Sequence, residues 1–296
     1  MTLFDDQYEQ EAIERIKKFA NIAQSLGIVP TVGFSGGKDS QVVYDLCCRA
    51  GIKFEAYFNH AFENAETLNF IRNQYPAVKW RRLTNEGFVQ NIIENHNSLL
   101  PTVEMSFCCE DYKHSKEVKN EASIVGVRME ESNSRKNRRL ISVRLKKVIK
   151  KTNILDFFSE KCIENGGGSI LKLSPIIEWS ESDVWNYIKK HNLPINPNYK
   201  KCSRVGCCIC PKASFSRNFI ELMKHPKWID AFIKAREKRT DIDWIIRREN
   251  KDYSDNKVEY ICKWLNHSFR EFSKKDAELF EKFKEVYDKQ KKQILK

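Results

Sequence analysis

The sequence predicts an α/β protein: a doubly wound, mostly parallel sheet followed by a helical C-terminal extension. Three observations predict it. Short apolar runs alternate with stretches of helical periodicity through the first part of the chain. A glycine-rich loop, Ser35-Gly36-Gly37-Lys38-Asp39-Ser40, falls where the first such run gives way to a helix. From residue 214 onward the sequence turns helical, aromatic and highly charged.

The elements follow in order. Residues 6–25 carry Ala12, Ile13, Ile16, Phe19, Ala20 and Ala23 at helical spacing and read as an amphipathic helix. Residues 28–34, apolar and bounded by glycine, read as a buried strand, and 39–50 return to helical character. IKFEAYFNH (52–60) is a second strand candidate and ETLNFIRNQY (66–75) a second helix. VKWRRLT (78–84) and ASIVGVR (122–128) are the third and fourth strand candidates. Beyond these, RKNRRLISVRLKKVIKK (135–151) carries nine Lys/Arg in seventeen positions, and NGGGS (165–169) is a flexible break. Ser180, with Asp183 three residues on, starts a capped helix that LPINPNY (193–199) ends with two prolines. The expected division is a nucleotide-binding domain with a cysteine cluster over 1–215 and a helical, charged extension over 216–296.

The chain has 296 residues, 41% of them hydrophobic, enough for a real core. A net charge of +12 favours anionic partners, although a lysine-rich background gives the same total, so the preference is argued from clusters. The start, MTLFDDQYEQEAIERI, is acidic and lacks the basic and apolar regions of a signal peptide. No apolar run is long enough to span a membrane, and the expected location is the cytoplasm. Ten cysteines without an export signal argue for metal, cluster or thiol chemistry over a disulfide framework.

The glycine-rich loop is a candidate phosphate site. A glycine pair lets backbone N–H groups approach an anion with no Cβ in the way. A helix starting at Asp39–Ser40 aims its free N–H groups and positive dipole end at the same point. Lys38 adds a charge, and Ser35 and Ser40 add hydroxyls. It is not a Walker A loop, because Val32 stands where that pattern needs glycine and Asp39 where it needs Ser or Thr. In GVRMEESNSR (126–135), Arg128 and Arg135 suit a bidentate clamp on phosphate or sulfate, Glu131 suits orienting Arg128, and Ser132 suits a helix cap.

These stretches together resemble a family. SGGKDS resembles the pyrophosphate-loop motif of the ATP pyrophosphatase superfamily. FNHAFENAETLNFI, GVRMEESNSR and LSPIIEWSESDVWNYIKKHNLPINPNY resemble successive motifs of its phosphoadenosine phosphosulfate (PAPS) reductase branch. The resemblance covers residues 25–215. It implies a doubly wound core of the adenine nucleotide alpha hydrolase type that binds an adenosine nucleotide (ATP, APS or PAPS), its phosphates on Ser35, Gly36, Gly37, Lys38, Asp39 and Ser40.

The cysteines fall into two groups. Cys108 and Cys109 are adjacent, and Cys202, Cys207, Cys208 and Cys210 crowd into nine residues, with the Cys207-x-x-Cys210 spacing that lets two thiolates share one metal centre. Cys47, Cys48, Cys162 and Cys262 lie in apolar or helical contexts and read as structural thiols. The Cys-Cys and distant Cys-x-x-Cys pairs resemble the [4Fe–4S] ligands of adenosine phosphosulfate (APS) reductases. That likeness implies Cys108, Cys109, Cys207 and Cys210 as ligands, with Cys202 and Cys208 as substitutes. A zinc site of Cys202, Cys207, Cys208 and Cys210 is the alternative. Lys113 and Arg204 would place positive charge near the cluster or a substrate sulfate.

One departure bears on catalysis. Reductases of this branch carry a C-terminal Glu-Cys-Gly segment, whereas no cysteine follows Cys262 here, so no catalytic residue is assigned. The leading expectation is sulfur transfer or reduction on an adenosine nucleotide beside an iron–sulfur cluster, with a thiol or sulfur-donor protein as partner. An alternative is AMP-forming sulfur insertion into nucleic acid, as in DNA phosphorothioation or tRNA thiolation enzymes, with Mg2+ accompanying ATP. A third is a non-catalytic nucleic-acid-binding protein with structural zinc, contacting phosphates through 135–151.

Overall fold

The computed structural model describes residues 3–113, 121–131, 133–136, 138, 140–144, 170–238, 256–266 and 271–294. Ser132, Cys162, the NGGGS break and positions 145–151 of the basic segment lie outside the described residues.

In chain order the elements are α1 (Leu3–Ser25), β1 (Thr31–Gly33), α2 (Lys38–Arg49), β2 (Glu55–Asn59), α3 (Ala65–Gln74), β3 (Lys79–Arg81), α4 (Phe88–Asn95), α5 (Phe107–Tyr112), β4 (Glu121–Ile124), β5 (Ile141–Arg144), β6 (Ile170–Leu173), α6 (Glu181–Lys190), α7 (Phe215–Lys224), α8 (Trp228–Glu237), α9 (Lys257–Leu265) and α10 (Lys274–Ile294). The chain separates into two compact units. The first comprises Met1–His60, Ala65–Arg81 and Ser115–Gly206; the second comprises Ala61–Asn64, Arg82–His114 and Cys207–Lys296.

The first unit is the predicted α/β fold. Its strands run β3-β2-β1-β4-β6-β5. All neighbours pair parallel except β5, which runs antiparallel to β6. Val32 pairs with Ala56 on one side and Ile124 on the other. From β1 the chain adds strands outward through β2 and β3, then returns to the opposite side of β1 with β4. The carboxyl ends of β1 and β4 therefore form a topological switch point, where open α/β sheets leave a crevice. The apolar stripe of α1 is buried as the spacing predicts, with Ala12, Ile16 and Ala23 fully covered. It joins one core with Val42, Val43 and Leu46 of α2 and Phe58, Ile124 and Leu173 of the sheet.

Two sequence expectations are corrected. Residues 141–144, read as part of a basic stripe, are the edge strand β5, because Ile141 and Val143 supply β-branched alternation among the cations. The strand expected over 122–128 ends at Ile124, and from Gly126 the chain lines the crevice.

The second unit is helical. Phe215, Phe232, Trp264 and Phe283 form the centre of its core. The Trp264 indole N–H donates to the Pro101 carbonyl at 2.5 Å, which satisfies the one polar atom of a fully buried side chain. Cys262 is fully buried in this core, and burial raises its thiol pKa. Among the described residues no helix is long and apolar enough to cross a membrane.

Candidate functional site

The crevice at the switch point is a cavity of about 530 Å³. The loop after β1 forms its floor. Gly36 has φ +72°, and an added Cβ would lie 3.0 Å from the Ile71 side chain, so this position needs glycine. The Gly36 carbonyl is held away from the crevice by two amides, Gln41 Nε2 at 3.2 Å and Asn196 Nδ2 at 3.0 Å. Ser40 Oγ donates to the Gly37 carbonyl at 2.8 Å and accepts from the Ser35 N–H at 3.1 Å. The Gly36 and Gly37 carbonyls are thus occupied, and the Gly37 N–H lies 3.4 Å from Ser35 Oγ. Gly37 is the N-cap of α2 and supplies no side-chain cap, and the first N–H of the helix, that of Lys38, donates to Tyr199 Oη at 2.8 Å.

Charged side chains line the wall. Lys38 is almost wholly buried, its Nζ 3.4 Å from Asp39 and 3.6 Å from Glu181. Asp39 Oδ1 accepts from Arg128 Nε at 2.6 Å. Arg128 Nη1 also donates to Glu130 at 3.0 Å and to the Trp179 carbonyl at 3.2 Å. Burial opposes the Arg128 charge, but Asp39 outweighs it and the guanidinium pKa is raised. Glu130 also accepts the Glu181 N–H at 2.6 Å, which ties the start of α6 to the same network. Gly126 lets the segment after β4 pass close to α2: an added Cβ would fall 2.7 Å from the backbone of Asp39.

The structure gathers Ser35, Gly37, Lys38, Asp39, Ser40, Arg128, Glu131 and Arg135 into the lining of this one cavity, with Gly36 in the loop beneath them. The partner expected for Arg128 is corrected. Glu131 holds the Arg128 backbone N–H at 3.0 Å, while its carboxylate pairs with Arg135 and approaches Arg204 at 3.8 Å. Asp39 and Glu130 orient the Arg128 side chain instead. Sequence reasoning missed Gly126, Glu130, Glu181 and Tyr199 as lining residues. Gly126 and Glu130 stood inside a motif already singled out; Tyr199 had no signal beyond its place after Asn-Pro-Asn.

The thiols of Cys108, Cys109, Cys207 and Cys210 belong to the second unit and lie within electrostatic reach of one another. The Cys108 thiol hydrogen-bonds Cys109, which lowers the Cys109 pKa and raises that of Cys108; Lys113 and Lys212 lower Cys109 further. Lys113 is drawn toward Cys207, Glu63 and Cys109, and its own pKa is raised. The Cys207–Cys210 knuckle is anchored at three of its four residues. The Cys207 carbonyl accepts from Arg217 at 3.0 Å, the Cys208 N–H donates to Phe62 O at 2.7 Å, and the Cys210 N–H donates to Asn218 Oδ1 at 3.0 Å. Ile209 between them has φ +49°, a left-handed conformation costly for a β-branched residue and held by burial of its side chain. Among the described residues, no three His, Cys, Asp or Glu side chains stand at metal-ligand spacing. The donor set itself, four thiols with two lysines beside them, has the chemistry of an iron–sulfur site. The substitutes differ: Cys208 is buried with its thiol 3.9 Å from Glu221, and Cys202 belongs to the first unit.

A parallel sheet with a glycine loop and buried cations at its switch point defines a nucleotide-binding α/β protein. Residues 29–213, more than half of the chain, match the phosphoadenosine phosphosulfate reductase domain, and the chain belongs to that family. Among its relatives are an uncharacterized protein of Methanocaldococcus jannaschii, 29% identical over 219 residues, which cover 70% of this chain and 40% of that one. Another is the adenosine 5'-phosphosulfate reductase of Lysinibacillus sphaericus, 25% identical over 162 residues, 53% of this chain and 60% of the relative. The chain thus spans well under two thirds of the archaeal relative's length. A solved structure of Candida auris phosphoadenylyl-sulfate reductase with phosphate aligns at a TM-score of 0.44 and 14% identity, over 70% of this chain and 96% of that one.

Proposed function

We propose that this protein is an enzyme of sulfur chemistry that binds an adenosine nucleotide in its first unit and works with a thiolate-held cluster in its second. The anion cradle carries the reading. Gln41, Asn196 and Ser40 occupy the loop carbonyls, and Lys38 lines one cavity with the loop, Arg128, Arg135 and Arg204. A row of phosphates, or phosphate joined to sulfate, suits such donors. Relatives named adenosine 5'-phosphosulfate reductase support the sulfur chemistry.

Cys108, Cys109, Cys207 and Cys210 would hold a [4Fe–4S] cluster. When bound, the cluster supplies a redox-capable centre, tuned by neighbouring charge. Lys113 and Lys212 supply that charge, and the strained Ile209 turn presents the knuckle. The zinc alternative needs Cys208, whose burial beside Glu221 counts against it.

A second reading, AMP-forming sulfur insertion into nucleic acid, is favoured by the charge balance of the cavity. Lys38, Arg128, Arg135 and Arg204 are each already paired, with Asp39, Glu130, Glu131 or Glu181. Carboxylates so placed suit Mg2+ carried in with ATP. In that chemistry an acceptor oxygen attacks the α-phosphorus, the bond to pyrophosphate breaks, and the acceptor's proton goes to solvent. A sulfur nucleophile then displaces AMP from the ester. In the reductive chemistry a thiolate attacks the sulfur of a sulfonucleotide and an adenosine phosphate leaves; a second thiol, supplied by the donor protein, then displaces sulfite as the two thiol sulfurs join in a disulfide.

Anaerobic purification with iron and sulfide analysis, then incubation with ATP, APS and PAPS in the presence of a dithiol, separates the readings. Sulfite with an adenosine phosphate supports reduction; pyrophosphate with AMP supports adenylation. Binding of none of the three nucleotides ends both.

A further inference from the structure

We infer that Tyr199 completes the phosphate cradle: its hydroxyl accepts the first N–H of α2 and donates its own proton to the bound anion. The inference rests on the phosphate-loop reading above. The Lys38 N–H, which a phosphate at a helix N-terminus would ordinarily take, donates instead to Tyr199 Oη at 2.8 Å. That oxygen sits over the loop, 3.4 Å from where a Gly37 Cβ would be, and Tyr199 lines the cavity. A phenol that accepts one hydrogen bond still has its proton to give, and in a chain N–H to O–H to anion each bond polarises the next.

The ring is held, which decides between a fixed donor and a plug that must swing away. Trp185 packs edge-on against it, with ring centroids 5.1 Å apart and planes at 82°. Its turn, Pro197–Lys200, is bolted to the loop it serves. Asn196 donates to the Gly36 carbonyl, and Asn198 donates to Thr67 Oγ1 at 3.0 Å and, through its N–H, to Asn196 Oδ1 at 3.1 Å. Asn196 is 0% exposed and Asn198 5%, so the anchor is shielded from competing water. The buried set fixes the backbone that carries Tyr199, and swinging the ring aside would forfeit the Trp185 contact and leave the Lys38 N–H without its acceptor, whereas donating from where it stands breaks nothing.

The test is Tyr199→Phe, which removes one oxygen and keeps the ring on Trp185. Binding of inorganic pyrophosphate and of ATP is measured by calorimetry, and thermal unfolding checks the fold. Both probes should bind at least about tenfold more weakly, the loss expected for a hydrogen bond to a charged group. Unchanged affinity overturns the proposal. Tighter affinity also overturns it, because it would mean that the hydroxyl competes with the anion. If the wild-type protein binds neither probe, the phosphate-loop reading falls and this proposal with it; normal wild-type binding beside an unaltered variant sinks the proposal alone. Should Tyr199→Phe not fold, 3-fluorotyrosine at position 199, a stronger donor, should tighten pyrophosphate binding, and no change there overturns the proposal.

Discussion

At the scale of single residues, the glycines of the site are not equivalent. Gly37 has φ −88°, which any residue adopts, and an added Cβ would meet nothing closer than 3.4 Å. Gly36 needs a left-handed backbone and crowds Ile71, while Gly126 would drive a Cβ to 2.7 Å from the Asp39 backbone. That contact is with peptide atoms at the start of a packed helix, so no side chain can turn aside to relieve it. Gly126→Ala should therefore displace Asp39 and the first turn of α2, destabilise the fold by about 1–3 kcal/mol and abolish nucleotide binding. Gly37→Ala should keep the fold and stay within a few-fold of wild-type affinity; the branched Gly37→Val is the change expected to block the anion. Chemical denaturation with calorimetry on the three variants checks this ordering, and equal losses in the two alanine variants would overturn it. Lys38→Ala should leave the fold intact and remove binding, since it deletes the cavity's most buried ammonium.

At the scale of elements, α1 and α6 are joined by a cluster whose pH dependence has a definite sign. Glu9 is buried, with Lys190 Nζ at 2.8 Å and His191 Nε2 at 3.0 Å. Burial raises its pKa, but the hydrogen bonds from Lys190 and His191 outweigh it and the net shift is downward. A carboxyl held below its ordinary value stabilises the fold above that value, and the contribution is lost as pH falls through the folded pKa. Glu9→Gln should then cost about 1–2 kcal/mol at neutral pH and almost nothing in strong acid. Unfolding curves across the acid range test it; a variant curve parallel to wild type at every pH would refute the linkage. The same elements show what could be read in advance. The stripe of α1, the Ser180–Asp183 capping box and the glycine loop are local patterns, set by spacing within a few residues, and each lies where the sequence puts it. Asn196, Asn198 and Tyr199 gain their meaning from Gly36, Thr67 and Lys38, more than 120 residues away in the chain. No periodicity reports a contact of that range. Strand β5 was hidden for a different reason, since Ile141 and Val143 sit inside a seventeen-residue segment that carries nine Lys/Arg.

At the scale of the whole molecule, the proposed functions divide between the units, and that division can be tested without assuming how the units meet. Every residue of the anion cradle belongs to the first unit, and Cys108, Cys109, Cys207 and Cys210 belong to the second. Changes in one set should therefore leave the other's binding property intact while both sets are needed for turnover. Cys207→Ser should lose iron, because a thiolate ligand is gone, yet bind ATP as wild type does. Lys38→Ala should keep its iron and lose the nucleotide. Cys262→Ala should do neither: the thiol is fully buried among aromatic side chains with its pKa raised, so it holds little thiolate at neutral pH. Its removal should cost about 1–2 kcal/mol of stability and leave turnover near wild type. Iron content, nucleotide affinity and turnover, measured on all three variants, form the test. Loss of iron in Lys38→Ala would end the separation. Loss of turnover in Cys262→Ala, with iron, nucleotide affinity and fold intact, would identify Cys262 as the sulfur acceptor, and the reductive chemistry would then have its thiol within this chain.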